Sequence, residues 1–377
     1  MTQAQSMTEN PVKQALRHGQ SIWYDGLIGR DEFERMIRED GLRGATTNPS
    51  IFEKALASVG TDPDVAALVA SKPADEVYKT LAVKAVQEVC DLFRPLYAES
   101  AGQDGFVSIE VSPLLAYDTL GTIREGKELW QRVDRKNVMI KVPATRQGLP
   151  AIEALIGEGI NVNVTLIFSV KRYQEVMNAY VTGIEKRIER GRPVADTASV
   201  ASFFVSRIDS AVDKLIQDRL DAAKSVPMGT SRAESLRNLT GKVAIANAKL
   251  AYKEFDNFFQ AFRFRRLKEK GAQIQRPLWA STGTKNPAYS DVLYVEELMG
   301  QNTVNTMPPA TLDAFRHHGV AGSRLMKGME EASNVFKELQ TVGIDFAEVT
   351  DKLEEAGVKL FADSYNKIIQ SIGALKK

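Results

Sequence analysis

Lys141 lies in the run Asn137-Val138-Met139-Ile140-Lys141-Val142-Pro143-Ala144-Thr145, and its neighbours from Val138 to Val142 are all apolar. Pro143 cannot donate to a strand ladder, so the run predicts a short parallel strand packed on both faces and ending at the proline. An ammonium buried there must find a partner or give up its proton, because desolvation penalises the charged form. A neutral lysine at a strand end is a nucleophile suited to Schiff-base chemistry on a carbonyl substrate. The competing reading is a lysine that snorkels out of the strand end or pairs with a carboxylate. Taken alone, this stretch favours the bland reading. The rest of the chain reverses it.

Other chemistries are poorly supplied. The three histidines are His18, His317 and His318, and the last two, being adjacent, point to different sides of a helix. No local His-rich metal site can be assembled from them, and a Ser-His-Asp triad would have to recruit one from unpromising surroundings. Acid–base work therefore falls to carboxylates, lysine or tyrosine.

The elements that must position these groups alternate along the chain. Strands are predicted at Ser21–Asp25, Gly44–Asn48, Gly105–Val111, Val138–Val142, Ile160–Phe168, Val200–Val205, Pro277–Thr282 and Thr303–Thr306. Helical periodicity falls at Asp31–Glu39, Asp64–Phe93, Thr119–Val133, Gly148–Ile156, Val170–Arg190, Arg207–Lys224, Thr240–Lys270 and Ser290–Met299. Strand followed by helix, eight times over, is the pattern of a (β/α)8 TIM barrel. A doubly wound open sheet is the runner-up, but no Gly-x-Gly-x-x-Gly or Walker-type loop follows any strand. Residues 1–377 are expected to form one barrel domain. Pro308-Pro309 would end the barrel, and 310–377 would be a helical extension packed on it through Val358, Phe361, Tyr365, Ile368, Ile369 and Ile372.

Active sites of such barrels are built at the C-terminal strand ends, and residues i and i+2 share a face. The first strand ends at Asp25, with Trp23 on the same face; the second carries Thr46 and Asn48; the third pairs Ser108 with Glu110. Lys141 ends the fourth, Asn163 and Thr165 the fifth, and Ser202 the sixth, with Arg207 just beyond. The seventh runs Ala280-Ser281-Thr282-Gly283-Thr284-Lys285. Each has a modest reading as a helix cap or a solvated loop. Polar groups in register at seven strand ends are hard to explain that way, and a lysine-dependent enzyme site is the better reading.

Composition narrows the partners. With 44% hydrophobic residues, 26% charged and a formal net charge of +1, neither nucleic acid nor an anionic membrane is an expected partner. The basic cluster Arg263, Arg265, Arg266, Lys268 and Lys270 reads as a solvated helix face. The single Cys90 suits a reducing compartment, the stretch Met1–Gln20 lacks a signal-peptide core, and no apolar run approaches the ~20 residues of a membrane span. A cytoplasmic protein is expected. Oligomeric state stays open, a homodimer being allowed.

The segments Ala45-Thr46-Thr47-Asn48-Pro49-Ser50, Ser108-Ile109-Glu110-Val111, Ile140-Lys141-Val142-Pro143-Ala144-Thr145, Asn163-Val164-Thr165-Leu166-Ile167-Phe168-Ser169 and Ser202-Phe203-Phe204-Val205-Ser206-Arg207-Ile208, with Trp23-Tyr24-Asp25, closely resemble the transaldolases. The resemblance runs from about residue 12 to 310 and on into a tail typical of the longer bacterial branch. It implies transfer of a dihydroxyacetone unit from sedoheptulose 7-phosphate to glyceraldehyde 3-phosphate, with no metal or organic cofactor. It also implies roles: Lys141 as the Schiff-base lysine, Glu110 and Thr165 holding a proton-shuttling water, and Asp25 handling the C4 hydroxyl proton. Asn48, Asn163 and Ser202 would bind the dihydroxyacetone unit; Arg207, Ser281 and Lys285 would bind the sugar phosphate. The chain departs from the family pattern at Lys285, where many members carry arginine, and at Ser112, where aspartate is common. The rivals are a fructose 6-phosphate aldolase of the same family and a non-catalytic sugar-phosphate binding barrel.

Overall fold

A computed structural model describes residues 10–56, 63–223 and 229–375. Parts of three sequence expectations, the stretch Met1–Gln20 up to residue 9, the helix end at Lys224 and the last two residues of the tail, lie outside them. The barrel begins with α1 (Pro11–Arg17), β1 (Gln20–Asp25), α2 (Arg30–Glu39), β2 (Gly44–Thr46), α3 (Pro49–Leu56), α4 (Pro63–Ser71) and α5 (Ala74–Glu99). It continues with β3 (Phe106–Glu110), α6 (Thr119–Val133), β4 (Val138–Pro143), α7 (Gly148–Glu158), β5 (Val162–Ile167), α8 (Val170–Glu189) and β6 (Ser199–Phe204). Four helices follow: α9 (Ser206–Ala222), α10 (Thr230–Leu239), α11 (Val243–Gln260) and α12 (Phe262–Lys268). The chain ends with β7 (Arg276–Ala280), α13 (Leu293–Glu297), β8 (Thr303–Met307), α14 (Pro309–His318), α15 (Met329–Thr341) and α16 (Phe346–Ala374). The eight strands close into a parallel barrel in sequence order, β1 pairing with β8. The TIM-barrel expectation holds.

The strands form where short apolar runs are cut by turn residues, and they are buried almost throughout because helices cover the outside while side chains fill the inside. Alternation divides each strand. On β4, Ile140 and Val142 face the helices while Met139 and Lys141 face the axis, and register puts Glu110 of β3 and Asn163 of β5 level with Lys141. The bottom of the interior is closed by ions: Arg276 donates to Asp104 at 3.0 Å and to Ser21 Oγ at 3.0 Å, and Arg43 pairs with the same aspartate. That network leaves the opposite, C-terminal end to chemistry.

Two of the long helices are broken where the sequence pattern runs on. The helix expected over Asp64–Phe93 is two, because Pro73 disfavours helical geometry at Lys72 and starts α5 instead. Helix α5 then runs on through Pro95 to Glu99, where Tyr97 packs edge-on against Phe106 at 5.3 Å. The helix expected over Thr240–Lys270 is broken at extended Ala261, after which Phe264 meets Phe259 at 4.7 Å. Helix α10 was not foreseen, having just Leu236 and Leu239 buried and so little periodicity to show. The helix at Ser290–Met299 shrinks to α13, and β2 stops at Thr46 rather than Asn48. Helix α14, expected as part of the tail, packs on α1 and β1 and serves as the helix following β8. The basic cluster is solvated, with Arg263 paired to Glu185.

Candidate active site

Lys141 is 4% exposed, and its Nζ donates to the Thr47 carbonyl at 3.2 Å. It also lies 3.4 Å from Glu110 Oε2, near enough for charge attraction though not aligned as a hydrogen bond. Thr47 is fixed in turn by its hydroxyl, which donates to the Ser108 carbonyl at 2.7 Å. The loop after the lysine is equally held. Thr145 Oγ1 donates to the Ala116 carbonyl at 2.5 Å and accepts from Gly148 N at 2.9 Å, capping α7. Gly148 must be glycine, since a Cβ there would stand 2.0 Å from the Pro143 carbonyl oxygen. Thr47 and Thr145, one from each motif, thus build the scaffold that aims Lys141.

Burial pushes the Glu110 carboxyl above the usual carboxylate range; the Lys141 ammonium opposes this and Asp25 adds to it. Both Glu110 oxygens and Thr165 Oγ1 are buried without a hydrogen-bond partner among the described residues. Such groups cost about 1–3 kcal/mol each when left unpaired. The ammonium offsets part of that cost at Glu110 Oε2, and the two groups, one carboxyl and one hydroxyl close to the lysine, mark a place where polar atoms are kept for use.

Above the lysine opens a cavity of about 160 Å³. Asp25, Asn48, Lys141, Thr165 and Ser202 line it together with Arg207, Ser281 and Lys285, so eight of the ten residues expected from the sequence meet there. Glu110 and Asn163 sit beneath the lining. Asn163 joins a buried chain in which Ser202 Oγ donates to Asn163 Oδ1 at 2.7 Å and Asn163 Nδ2 donates to Ser108 Oγ at 2.9 Å. Asn48 caps α3, its Oδ1 accepting from Ile51 N at 3.1 Å, so its amide NH2 is the end left for another partner.

Asp25 accepts from Thr46 Oγ1 at 2.7 Å, and Thr46 Oγ1 lies 2.6 Å from Thr306 Oγ1. Each hydroxyl has one proton, so the relay runs from Thr306 to Thr46 to Asp25. From sequence Thr46 shows as a polar strand-end residue without a part in the site, and Thr306 does not stand out; its place near the C-terminal end of β8, on the same face as Val304, is the available signal. Phe361 of α16, expected as packing alone, also lines the cavity.

The far wall is cationic. Arg207, expected beyond its strand, lies in the first turn of α9, half-buried, with its guanidinium 5.3 Å from the Phe204 ring centroid. Burial lowers its pKa, and no carboxylate pairs with it among the described residues. Ser281 has φ +56°, a left-handed conformation costing on the order of 1–3 kcal/mol, and is held by Ser206 through N–H to carbonyl (3.0 Å) and hydroxyl to hydroxyl (2.9 Å). Lys285 is exposed at the rim. Among the described residues no cluster of three His, Cys, Asp or Glu side chains could hold a metal ion, and no helix is long and apolar enough to cross a membrane.

A sequence model of the family described as Transaldolase/Fructose-6-phosphate aldolase matches residues 22–372. A transaldolase from Trichodesmium erythraeum (strain IMS101) is 45% identical over 374 residues, 97% of each chain. One from Mycobacterium tuberculosis (strain ATCC 25618 / H37Rv) is 46% identical over 375 residues, again 97% of each. A third, from Parafrankia sp. (strain EAN1pec), is 43% identical over 369 residues, 96% of this chain and 97% of its own. A closed barrel with a buried lysine–glutamate pair at its mouth and near full-length likeness to these proteins lead to one conclusion: the chain belongs to the transaldolase/fructose-6-phosphate aldolase family.

Proposed function

We propose that the protein is a cytoplasmic transaldolase of carbohydrate metabolism, moving a dihydroxyacetone unit from sedoheptulose 7-phosphate to glyceraldehyde 3-phosphate. The products are erythrose 4-phosphate and fructose 6-phosphate. Lys141, buried beside Glu110 at 3.4 Å under a cavity lined with polar groups, is the observation that carries the reading. The whole chain, 1–377, acts as one barrel domain in this reading, its tail included.

Lys141 Nζ attacks the ketose C2 carbon, and the carbinolamine loses water to give the iminium. A carboxyl raised by burial, as Glu110 is, suits passing a proton to the departing hydroxyl, by way of a water that Glu110 and Thr165 hold. Asp25 takes the C4 hydroxyl proton as the C3–C4 bond breaks, leaving the enamine on Lys141 and releasing the aldose phosphate. The enamine C3 then attacks the acceptor aldehyde, Asp25 returns the proton, and water releases the new ketose. The Thr306–Thr46 relay keeps Asp25 in place. Asn48 and Ser202 bind the dihydroxyacetone hydroxyls, Asn163 supporting Ser202 from below with one N–H to spare. Arg207, Ser281 and Lys285 take the phosphate.

Borohydride added with fructose 6-phosphate should leave one reduced adduct, at Lys141, and Lys141→Arg should abolish both adduct and turnover. An adduct on another lysine, with Lys141→Arg active, refutes the mechanism. The aldolase reading is disfavoured by Phe204, which lines the cavity against Phe168 at 5.3 Å and offers no hydroxyl to orient water. Dihydroxyacetone release from fructose 6-phosphate alone should therefore be slow beside transfer to erythrose 4-phosphate.

A further inference from the structure

Helix α16 reaches 29 residues and does more than cover the barrel's outside. Phe361, near its middle, is 3% exposed and forms part of the cavity wall, with its ring centroid 5.7 Å from Lys141 Nζ. Cations are attracted to an aromatic face at that distance.

The helix is pinned on both sides of this ring. Four residues earlier, Gly357 presses on the β5 end: a Cβ there would stand 2.8 Å from Leu166 Cδ2 and 3.6 Å from Arg207 Nη1. Leu166 itself has φ +59° and lies where the β5–β6 register shifts. Three residues later, Ser364 Oγ lies 2.8 Å from Ser50 Oγ of α3, just past Asn48. One residue beyond, Tyr365 meets Tyr78 of α5 edge-on at 5.3 Å. Residues 357, 361, 364 and 365 share one helix face. The helix therefore crosses the mouth from the β5–β6 side to the α3–α5 side, holding a phenyl ring over the reacting lysine.

We propose that Phe361 is a specificity-determining residue that keeps water from the enamine on Lys141, and so commits the three-carbon unit to an aldehyde acceptor. The proposal rests on the Schiff-base reading above. After C3–C4 cleavage the enamine has two fates. Its C3 attacks an aldehyde, forming a C–C bond. Alternatively C3 takes a proton from water, and the iminium so formed adds the hydroxide, releasing dihydroxyacetone and regenerating the amine; the net reaction consumes one water. Excluding water from a closed site suppresses the second route. Removing the ring opens space beside Lys141 for water, each needing about 30 Å³.

The test compares glyceraldehyde 3-phosphate formed from fructose 6-phosphate without acceptor, the release rate, with that formed in the presence of erythrose 4-phosphate, the transfer rate. In Phe361→Ala the release-to-transfer ratio should rise by about tenfold, equivalent to ~1.4 kcal/mol between the two barriers. Phe361→Leu, which keeps much of the bulk, should raise it less, and it decides the matter if the alanine variant does not fold. The borohydride adduct at Lys141 should persist in both. Val358→Ala alters a buried residue of α16 outside the cavity wall and should leave the ratio unchanged. An unchanged ratio in both Phe361 variants with the adduct intact overturns the proposal. So does an equal rise in Val358→Ala, which would assign the effect to the seating of the helix. Failure of the unsubstituted protein to form a Lys141 adduct would instead refute the Schiff-base reading itself.

Discussion

Arg207→Ala tests the cationic wall. The guanidinium is half-buried on the Phe204 ring, 5.3 Å from its centroid, and burial has lowered its pKa with no acidic partner to offset the cost among the described residues. A substrate phosphate would supply that partner, and arginine's planar fork suits two phosphate oxygens at once. The phosphate does not react, so the contact stabilises ground and transition states nearly equally, and its loss raises KM more than it lowers kcat. A hydrogen bond to a charged group is worth about 1.5–3 kcal/mol, so KM for phosphorylated donors should rise roughly 10–150-fold. Arg207→Lys should recover part of this, because charge returns without the fork. The assay is steady-state kinetics with fructose 6-phosphate and erythrose 4-phosphate, repeated with unphosphorylated fructose or dihydroxyacetone as donor, whose weak rates should hardly change. Melting temperature gives a second readout: among the described residues Arg207→Ala breaks no ion pair and removes just the contact with the Phe204 ring, so it should lower it little. Equal loss on phosphorylated and unphosphorylated donors, with a lowered melting temperature, would make Arg207 structural and refute the reasoning.

Three further outcomes are expected. Asp25→Ala should lose about 10²–10⁴-fold in turnover, the usual size of an acid–base contribution, yet still form the trappable adduct; loss of trapping with the fold intact by circular dichroism would reassign it. Lys285→Ala, removing one exposed ammonium on a flexible stem, should raise KM in the same sense as Arg207→Ala but by less; a larger effect than that of Arg207→Ala would reverse their order. Asp209 should mark the pH dependence of stability. It accepts from Ala244 N at 2.7 Å and Tyr294 OH at 2.8 Å, yet burial pushes its pKa from 3.8 up to about 6. A folded value above the unfolded one means the folded state holds this proton more tightly. The resulting stability is full below about 3.8 and lost as pH rises through about 6, a change of up to about 3 kcal/mol. Denaturant unfolding of Asp209→Asn, compared with the parent from pH 4 to 7, should lack that component; parallel curves would contradict it.

How much of this was legible beforehand depended on whether the signal was local. The strands could be read because each is a short apolar run cut off by Pro, Gly or Asp, and a buried parallel strand needs little more. Strand-end position plus the two-residue alternation was enough to nominate Lys141, Asp25, Glu110, Thr165 and Ser202, since in a barrel every C-terminal strand end arrives at one rim. Boundaries set by backbone competition were less legible. Pro73 and Ala261 break helices whose apolar periodicity continues across them, and Asn48 leaves its strand to cap α3.

Other features exist only once the barrel closes. Thr306 and Thr46 are 260 residues apart in sequence, and their relay to Asp25 depends on β8 returning to β1 beside β2. The raised Glu110 carboxyl follows from desolvation, which no neighbour in sequence imposes. Phe361 read as one more apolar residue in a helical stripe, and its place over Lys141 comes from the crossing of α16 against Leu166, Arg207 and Ser50. The chain's local pattern determined which groups stand at the mouth, because periodicity and turn residues act over a few residues. Tertiary packing alone decided which of them touch, which lose their water, and which helix closes over them, because those are energies of long-range contact and burial.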